Sequence, residues 1–179
     1  MTKFTLHDHA SAPVESKPLL EASVAAFGMI PNLHAVMAES PNLLEGYQKI
    51  HELFSQSSFN LDELTVVWQT INQAHDCHYC LPAHTMVAQM MEADMVINKA
   101  VCEGASLPTE KLEVLRTTTL AMVMQRGELL AAQEDAFYAA GYSKQNLLDI
   151  ILGIAQKVMS NYTNHVAETP IDEPFKAFI

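Results

Sequence analysis

The chain has 179 residues, 49% hydrophobic and 17% charged, which suits one domain and excludes global disorder. Ten Lys and Arg stand against 21 Asp and Glu, and the net charge of −11 excludes nucleic acid and anionic membrane surfaces as expected partners. No apolar run reaches the ~20 residues of a membrane span, since Asp149 interrupts the best one, and the polar first ten residues lack the apolar stretch of a secretion signal. A cytoplasmic protein is therefore expected.

In chain order, an N-terminal arm (1–12) leads to Pro18, which opens a helix over 19–27 that Gly28 ends. Pro31 starts 32–38 and Pro41 starts 42–55. Asn60, three residues before Glu63, reads as a cap with its reciprocal partner ahead of a strong helix over 61–74. The next segment begins at Cys77 and Cys80 and runs to about residue 92, and 93–103 ends at Gly104. Thr109 caps 110–125, Gly141 ends 128–140, and Ser143 caps the longest segment, 144–167, before a C-terminal tail over 168–179. No period-two strand is evident, so the expected fold is all-α, a single domain of eight or nine helices. The ten methionines and the apolar positions Leu147, Leu148, Ile151, Ile154, Ala155 and Val158 read as packing between helices.

Chemistry concentrates in one stretch, Asp76 to His84, with the spacing C-x-x-C-x-x-x-H. On a helix, Cys77, Cys80 and His84 share one face, which continues through Val87 and Met91 and so lies against the core. Pro82 is costly inside a helix, so the helix is expected to begin near His78 or Tyr79, with the thiols at its N-terminus, where orphan N–H groups and the macrodipole favour thiolate. Lowering a thiol pKa from ~8.5 to ~6.5 raises the thiolate fraction roughly 24-fold at pH 7, but lost nucleophilicity offsets about tenfold of that. Cleaving an O–O or S–S bond also needs a proton on the leaving atom, and a placed imidazole such as His84 supplies ~10²–10⁴-fold.

Other readings stand beside this one. Two thiolates with His75, His78 or His84 could form a zinc site, although no second C-x-x-C or H-x-x-x-H completes it. Cys102 reads as a buried free thiol. Glu63 is explained by capping and is also a possible relay carboxylate. His7, His9, His34, His51 and His165 have no partner legible in the sequence.

The stretch from Glu63 to His84, with Cys77-His78-Tyr79-Cys80 and Ala83-His84, resembles the alkylhydroperoxidase D (AhpD-like) branch of the carboxymuconolactone decarboxylase family. Ala139-Ala140-Gly141-Tyr142-Ser143, Asn161-Tyr162-Thr163-Asn164-His165 and Thr169-Pro170-Ile171-Asp172 resemble its peroxidase-related members. The resemblance implies an all-helical homo-oligomer, often a trimer or hexamer, with thiol-dependent peroxidase or disulfide-reductase activity; no cofactor or metal is expected. By position, Cys80 would become the sulfenic acid, Cys77 would resolve it, and His84 would relay protons. The family's glutamate, twelve residues before the first cysteine, falls on Thr65, with Glu63 two residues earlier. The expected partners are a small hydroperoxide and a dithiol or protein reductant. The alternatives are a carboxymuconolactone-type lyase, which needs no dithiol, and a redox or metal sensor that is not an enzyme. The apolar tail residues Phe175, Phe178 and Ile179 are expected to reach onto a neighbouring subunit.

Overall fold

Prolines, glycines and capping side chains set the helix boundaries in the computed structural model, which describes residues 4–179. Nine α-helices follow one another among the described residues: α1 (Lys17–Phe27), α2 (Asn32–Met37), α3 (Pro41–Ser55), α4 (Leu61–Ala74), α5 (Cys80–Met90), α6 (Met95–Glu103), α7 (Glu110–Met124), α8 (Ala131–Ala139) and α9 (Lys144–Ala167). Short 3-10 turns at Val14–Ser16 and Glu173–Phe178 flank them. The fold is all-α, as the periodicity implied, and α4 and α9 have the predicted bounds. Asn60 and Glu63 form the reciprocal cap: Asn60 Oδ1 accepts the Glu63 N–H at 2.9 Å, and Glu63 Oε2 accepts the Asn60 N–H at 3.0 Å. Gly104 ends α6 at φ 66°, a left-handed conformation in which a Cβ would be strained.

Helix α4 is the axis of the fold. Every residue from Glu63 to Asn72 is buried, because α5, α6, α7 and α9 all pack on it. Two buried clusters result. One gathers Phe54, Val67, Trp68, Ile71, Leu115, Phe137 and Ile150. Its close packing depends on Gly153 of α9, where a Cβ would sit 2.9 Å from the Phe54 ring. The other joins α1, α2 and α3 to the cysteine segment through Leu20, Leu33, Met37, Leu44, Tyr47, Cys77, Tyr79 and Cys80.

Two expectations change here. On α9, Leu148, Ile151 and Ala155 face outward, while Gln156, Lys157, Ser160, Asn161 and Asn164 are buried. The second half of α9 thus turns its polar side inward, since that interior is polar. Residues 168–179 fold back on their own chain: Asp172 accepts the Tyr79 hydroxyl at 2.6 Å and Phe175 packs edge-on against the Tyr79 ring. Only Ile179 of the three apolar tail residues is fully outward. Among the described residues, no helix is long and apolar enough to cross a membrane.

Candidate active site

The cysteines lie in the connection between α4 and α5. Asp76 adopts φ 50°, a left-handed conformation that a short polar side chain tolerates, and so ends α4. The Asp76 N–H bonds the Gln73 carbonyl and the Cys77 N–H bonds the Asn72 carbonyl, each at 3.0 Å, the pairing of a Schellman turn. Helix α5 begins at Cys80, one residue beyond the expected start. Cys77 therefore precedes the helix and caps it, its carbonyl accepting the Cys80 and Leu81 N–H groups. Pro82 occupies the third helical position, where a backbone N–H lacks an intrahelical acceptor anyway. Tyr79 anchors the connection, its hydroxyl donating to Asp172 while it accepts the Leu33 N–H.

Both sulfurs are buried. Asn164 Nδ2 donates to Cys80 Sγ at 3.1 Å and, more weakly, approaches Cys77 Sγ at 3.9 Å. Burial alone would raise the Cys80 thiol, but the Cys77 S–H bond, the Lys157 charge, Asn164 and Asn161 together bring it below the ordinary thiol range. Cys77 goes the other way, pushed up by donating to Cys80 and by burial. The two sulfurs are thus unlike: their surroundings favour ionisation of Cys80 over Cys77.

Amides fix this arrangement. Asn161 Nδ2 donates to Asn72 Oδ1, and Asn72 Nδ2 donates to Gln69 Oε1 and to the Cys80 carbonyl. Gln69 Nε2 continues to Asn98 Oδ1 at 2.9 Å. Asn161 Oδ1 is left as the acceptor for His75 Nδ1 at 2.8 Å. On the far side of Cys80, Lys157 Nζ lies 2.7 Å from His84 Nε2, and the His84 ring packs on Trp68. Trp68 donates to Gln156 Oε1, which turns Gln156 Nε2 toward His51 Nδ1 at 3.0 Å and leaves the His51 proton on Nε2. Burial depresses His34 to about 3, His51 to about 4 and His84 well below the ordinary value, so all three are neutral imidazoles at neutral pH.

A cavity of about 730 Å³ opens onto these groups. Cys80, His84, His51, His34 and Lys157 line it, and Phe27, Leu33, Met86, Val87 and Met90 make the rest largely apolar. Cys77 and Cys80 share one buried cluster and Cys80 and His84 line one cavity, with His84 bonded to Lys157 rather than to a sulfur. Glu63 stands apart, nine residues or roughly 13 Å of helix before Asn72, held by its cap and by Lys111 at 2.8 Å. Thr65 bonds back to the Leu61 carbonyl. Cys102 is half-buried rather than buried, near the end of α6. His75 is committed to Asn161 and His78 is exposed, and no group of three or more His, Cys, Asp or Glu able to hold a metal occurs among the described residues. Sequence reasoning missed Lys157, His51, Gln69 and Asn72. The signal for α9 was a polar stripe at helical spacing, Gln156, Ser160 and Asn164 beside Lys157 and Asn161, which by itself reads as a solvated face.

No protein-family profile matches the chain, and no curated protein matches it. Solved structures do. An uncharacterized peroxidase-related protein from Ralstonia eutropha JMP134, with an alkylhydroperoxidase AhpD core, is similar over 97% of this chain and 94% of its own, at 17% identity and TM-score 0.85. Another uncharacterized peroxidase-related protein, from Silicibacter sp. TM1040, is similar over 97% and 92%, at 17% identity and TM-score 0.79. The debrominase Bmp8 in complex with 2,3,4-tribromopyrrole is similar over 99% and 95%, at 17% identity and TM-score 0.78. At such identity the likeness establishes the fold and leaves the chemistry to the residues.

Proposed function

We propose, from an AhpD-like fold that carries a buried dithiol, that this chain is a thiol-dependent oxidoreductase reducing organic hydroperoxides. The observation that carries the reading is the asymmetry of the two sulfurs, with Cys80 at a helix N-terminus, lining a cavity and accepting from Asn164, in surroundings that favour its ionisation over that of Cys77. The Cys80 thiolate attacks the distal oxygen of the hydroperoxide. An S–O bond forms, the O–O bond breaks, and the alkoxide takes a proton to leave as alcohol. The Cys77 thiol then attacks the Cys80 sulfur, its proton leaves with the hydroxyl as water, and a disulfide forms. An external dithiol or protein reductant restores both thiols. The cavity supports a bulky, apolar substrate: a water molecule takes about 30 Å³, so a space of about 730 Å³ suits far more than hydrogen peroxide.

Counting thiols before and after one equivalent of cumene hydroperoxide tests this. Two thiols should be lost per chain, with Cys102 still reduced, and none lost in Cys80→Ala; a bond that includes Cys102, or no bond, ends the proposal. The debrominase likeness supports a second reading in which the same dithiol reduces a halogenated ring. Disulfide formation with bromide release from a bromopyrrole, and none with hydroperoxide, would select it. Cysteine-independent turnover would select the lyase.

Assembly as a trimer or hexamer belongs to the same proposal. It is supported by the outer side of α9, where Leu148, Ile151 and Val166 are 64%, 51% and 65% exposed. Light scattering coupled to gel filtration checks it, and the mass of a single chain at micromolar concentration would refute it.

A further inference from the structure

Two buried groups have no task in a scheme built on the sulfurs alone, Lys157 Nζ and His84 Nδ1. Lys157 reaches the site from α9 and is fully buried, and none of the ion pairs among the described residues gives it a carboxylate. An ammonium only donates, so at 2.7 Å it places its hydrogen on His84 Nε2 and leaves the proton of the neutral ring on Nδ1. His84 Nδ1 is buried and has no hydrogen-bond partner. Buried donors are seldom left so, and this one belongs to a ring that lines the substrate cavity beside Cys80. The charge available to balance Lys157 is the Cys80 thiolate. A neutral imidazole is not itself the source of a proton at neutral pH, but it can pass one from nitrogen to nitrogen.

We propose that Lys157 stores the proton needed by the leaving alkoxide and delivers it through His84. This rests on the hydroperoxide reading above. As the thiolate attacks and the O–O bond breaks, His84 Nδ1 gives its proton to the alkoxide while Nε2 takes one from Lys157. Cys80 becomes the sulfenic acid, Lys157 a neutral amine, and His84 its other tautomer. Disulfide formation then uses the Cys77 proton to release water. The site starts as an ammonium–thiolate pair and ends with neither charge, so no unpaired ion stays buried. When a dithiol reduces the disulfide, one of its two protons goes to Cys77 and the other to Lys157. The groups that face Lys157 and could exchange its proton instead are His84, His51 and the two thiols.

The proton balance of a single oxidation tests the assignment. Reduced protein, at about pH 8 and in weak buffer with a pH indicator, is mixed with one equivalent of cumene hydroperoxide while disulfide is counted. Ultraviolet thiolate absorbance is read beforehand. The expected result is one thiolate per chain and essentially no proton taken from solvent per disulfide. In Lys157→Arg the guanidinium keeps its charge and cannot give up a proton, so about one proton should be taken up per disulfide. Its rate should also fall ~10²–10⁴-fold with the thiolate retained. Uptake of one proton per disulfide by the parent protein, or no thiolate before mixing, would overturn the proposal while leaving disulfide formation intact. No disulfide at all would defeat the underlying reading instead. If Lys157→Arg does not fold, the parent stoichiometry decides alone.

Discussion

Around Phe54, Val67 and Ile150 the interior is apolar, whereas around Cys80, Lys157 and Asn164 it is filled with amides, imidazoles, thiols and a buried lysine. Both regions are built from α4 and α9, the first from Val67, Ile71 and Ile150, the second from Gln69, Asn72, Lys157 and Asn164. An apolar region tolerates many arrangements of similar volume, because its attraction is not directional. A polar interior works only if each donor meets its acceptor, because an unmet group costs about 1–3 kcal/mol. The amide series from His75 to Asn98 meets that demand, while His84 Nδ1 and Asn164 Oδ1 beside the thiols do not. Such unmet polar capacity is what a site prepared for a polar ligand would show.

Acid should separate the two regions most. His34, His51 and His84 are held neutral below the ~6.5 of an unfolded histidine, so the unfolded chain binds protons first as pH falls. Their stability contribution is present above about pH 6.5 and lost on acidification, by about 2 kcal/mol each for His34 and His51 at pH 5, with His84 adding in the same direction. Asp172, whose carboxyl burial raises, offsets part of this. Chemical denaturation at pH 7 and pH 5 checks it, and equal midpoints would contradict it. In the apolar region, Phe54→Ala should cost about 3–5 kcal/mol and leave the thiolate absorbance of the folded variant unchanged. In the polar region the pattern should reverse. His84→Ala should slow hydroperoxide reduction ~10²–10⁴-fold with the helical circular dichroism retained, and a rate within about threefold of the parent would make His84 structural.

Two smaller effects sharpen the boundary. Asn164→Leu removes the donor to Cys80, worth about 1.5–3 kcal/mol as a hydrogen bond to a charged group, so the thiol pKa should rise by about one to two units. The pH profile of the reaction should move up accordingly, with about two- to tenfold less activity at pH 7 and recovery at alkaline pH. Glu63→Gln should do least: it keeps much of the cap, loses the pairing with Lys111, and costs ~1 kcal/mol or less of stability with activity nearly unchanged. A hundredfold slower reaction at an unchanged melting temperature would instead put Glu63 in the relay.

Much of this was legible in the chain itself. Asn60 with Glu63, Thr109, Ser143 and the closing glycines marked helix ends because capping is local, settled within four residues. The C-x-x-C-x-x-x-H spacing announced a thiol site for the same reason, since residues three and four apart meet on one helical turn. Lys157 could not be read this way. It lies 73 residues from His84, and on its own helix it is one polar residue in a stripe that would suit solvent equally well. His51 and Gln156, 105 residues apart, and Tyr79 and Asp172, 93 apart, are likewise joined only once α3, α5, α9 and the folded-back C-terminus pack together. Local hydrogen bonding and periodicity determined where helices begin and end and where the cysteines sit; which polar side chains turn inward to form the site depended on contacts between distant segments, where a buried polar group is stable only beside a partner that packing supplies.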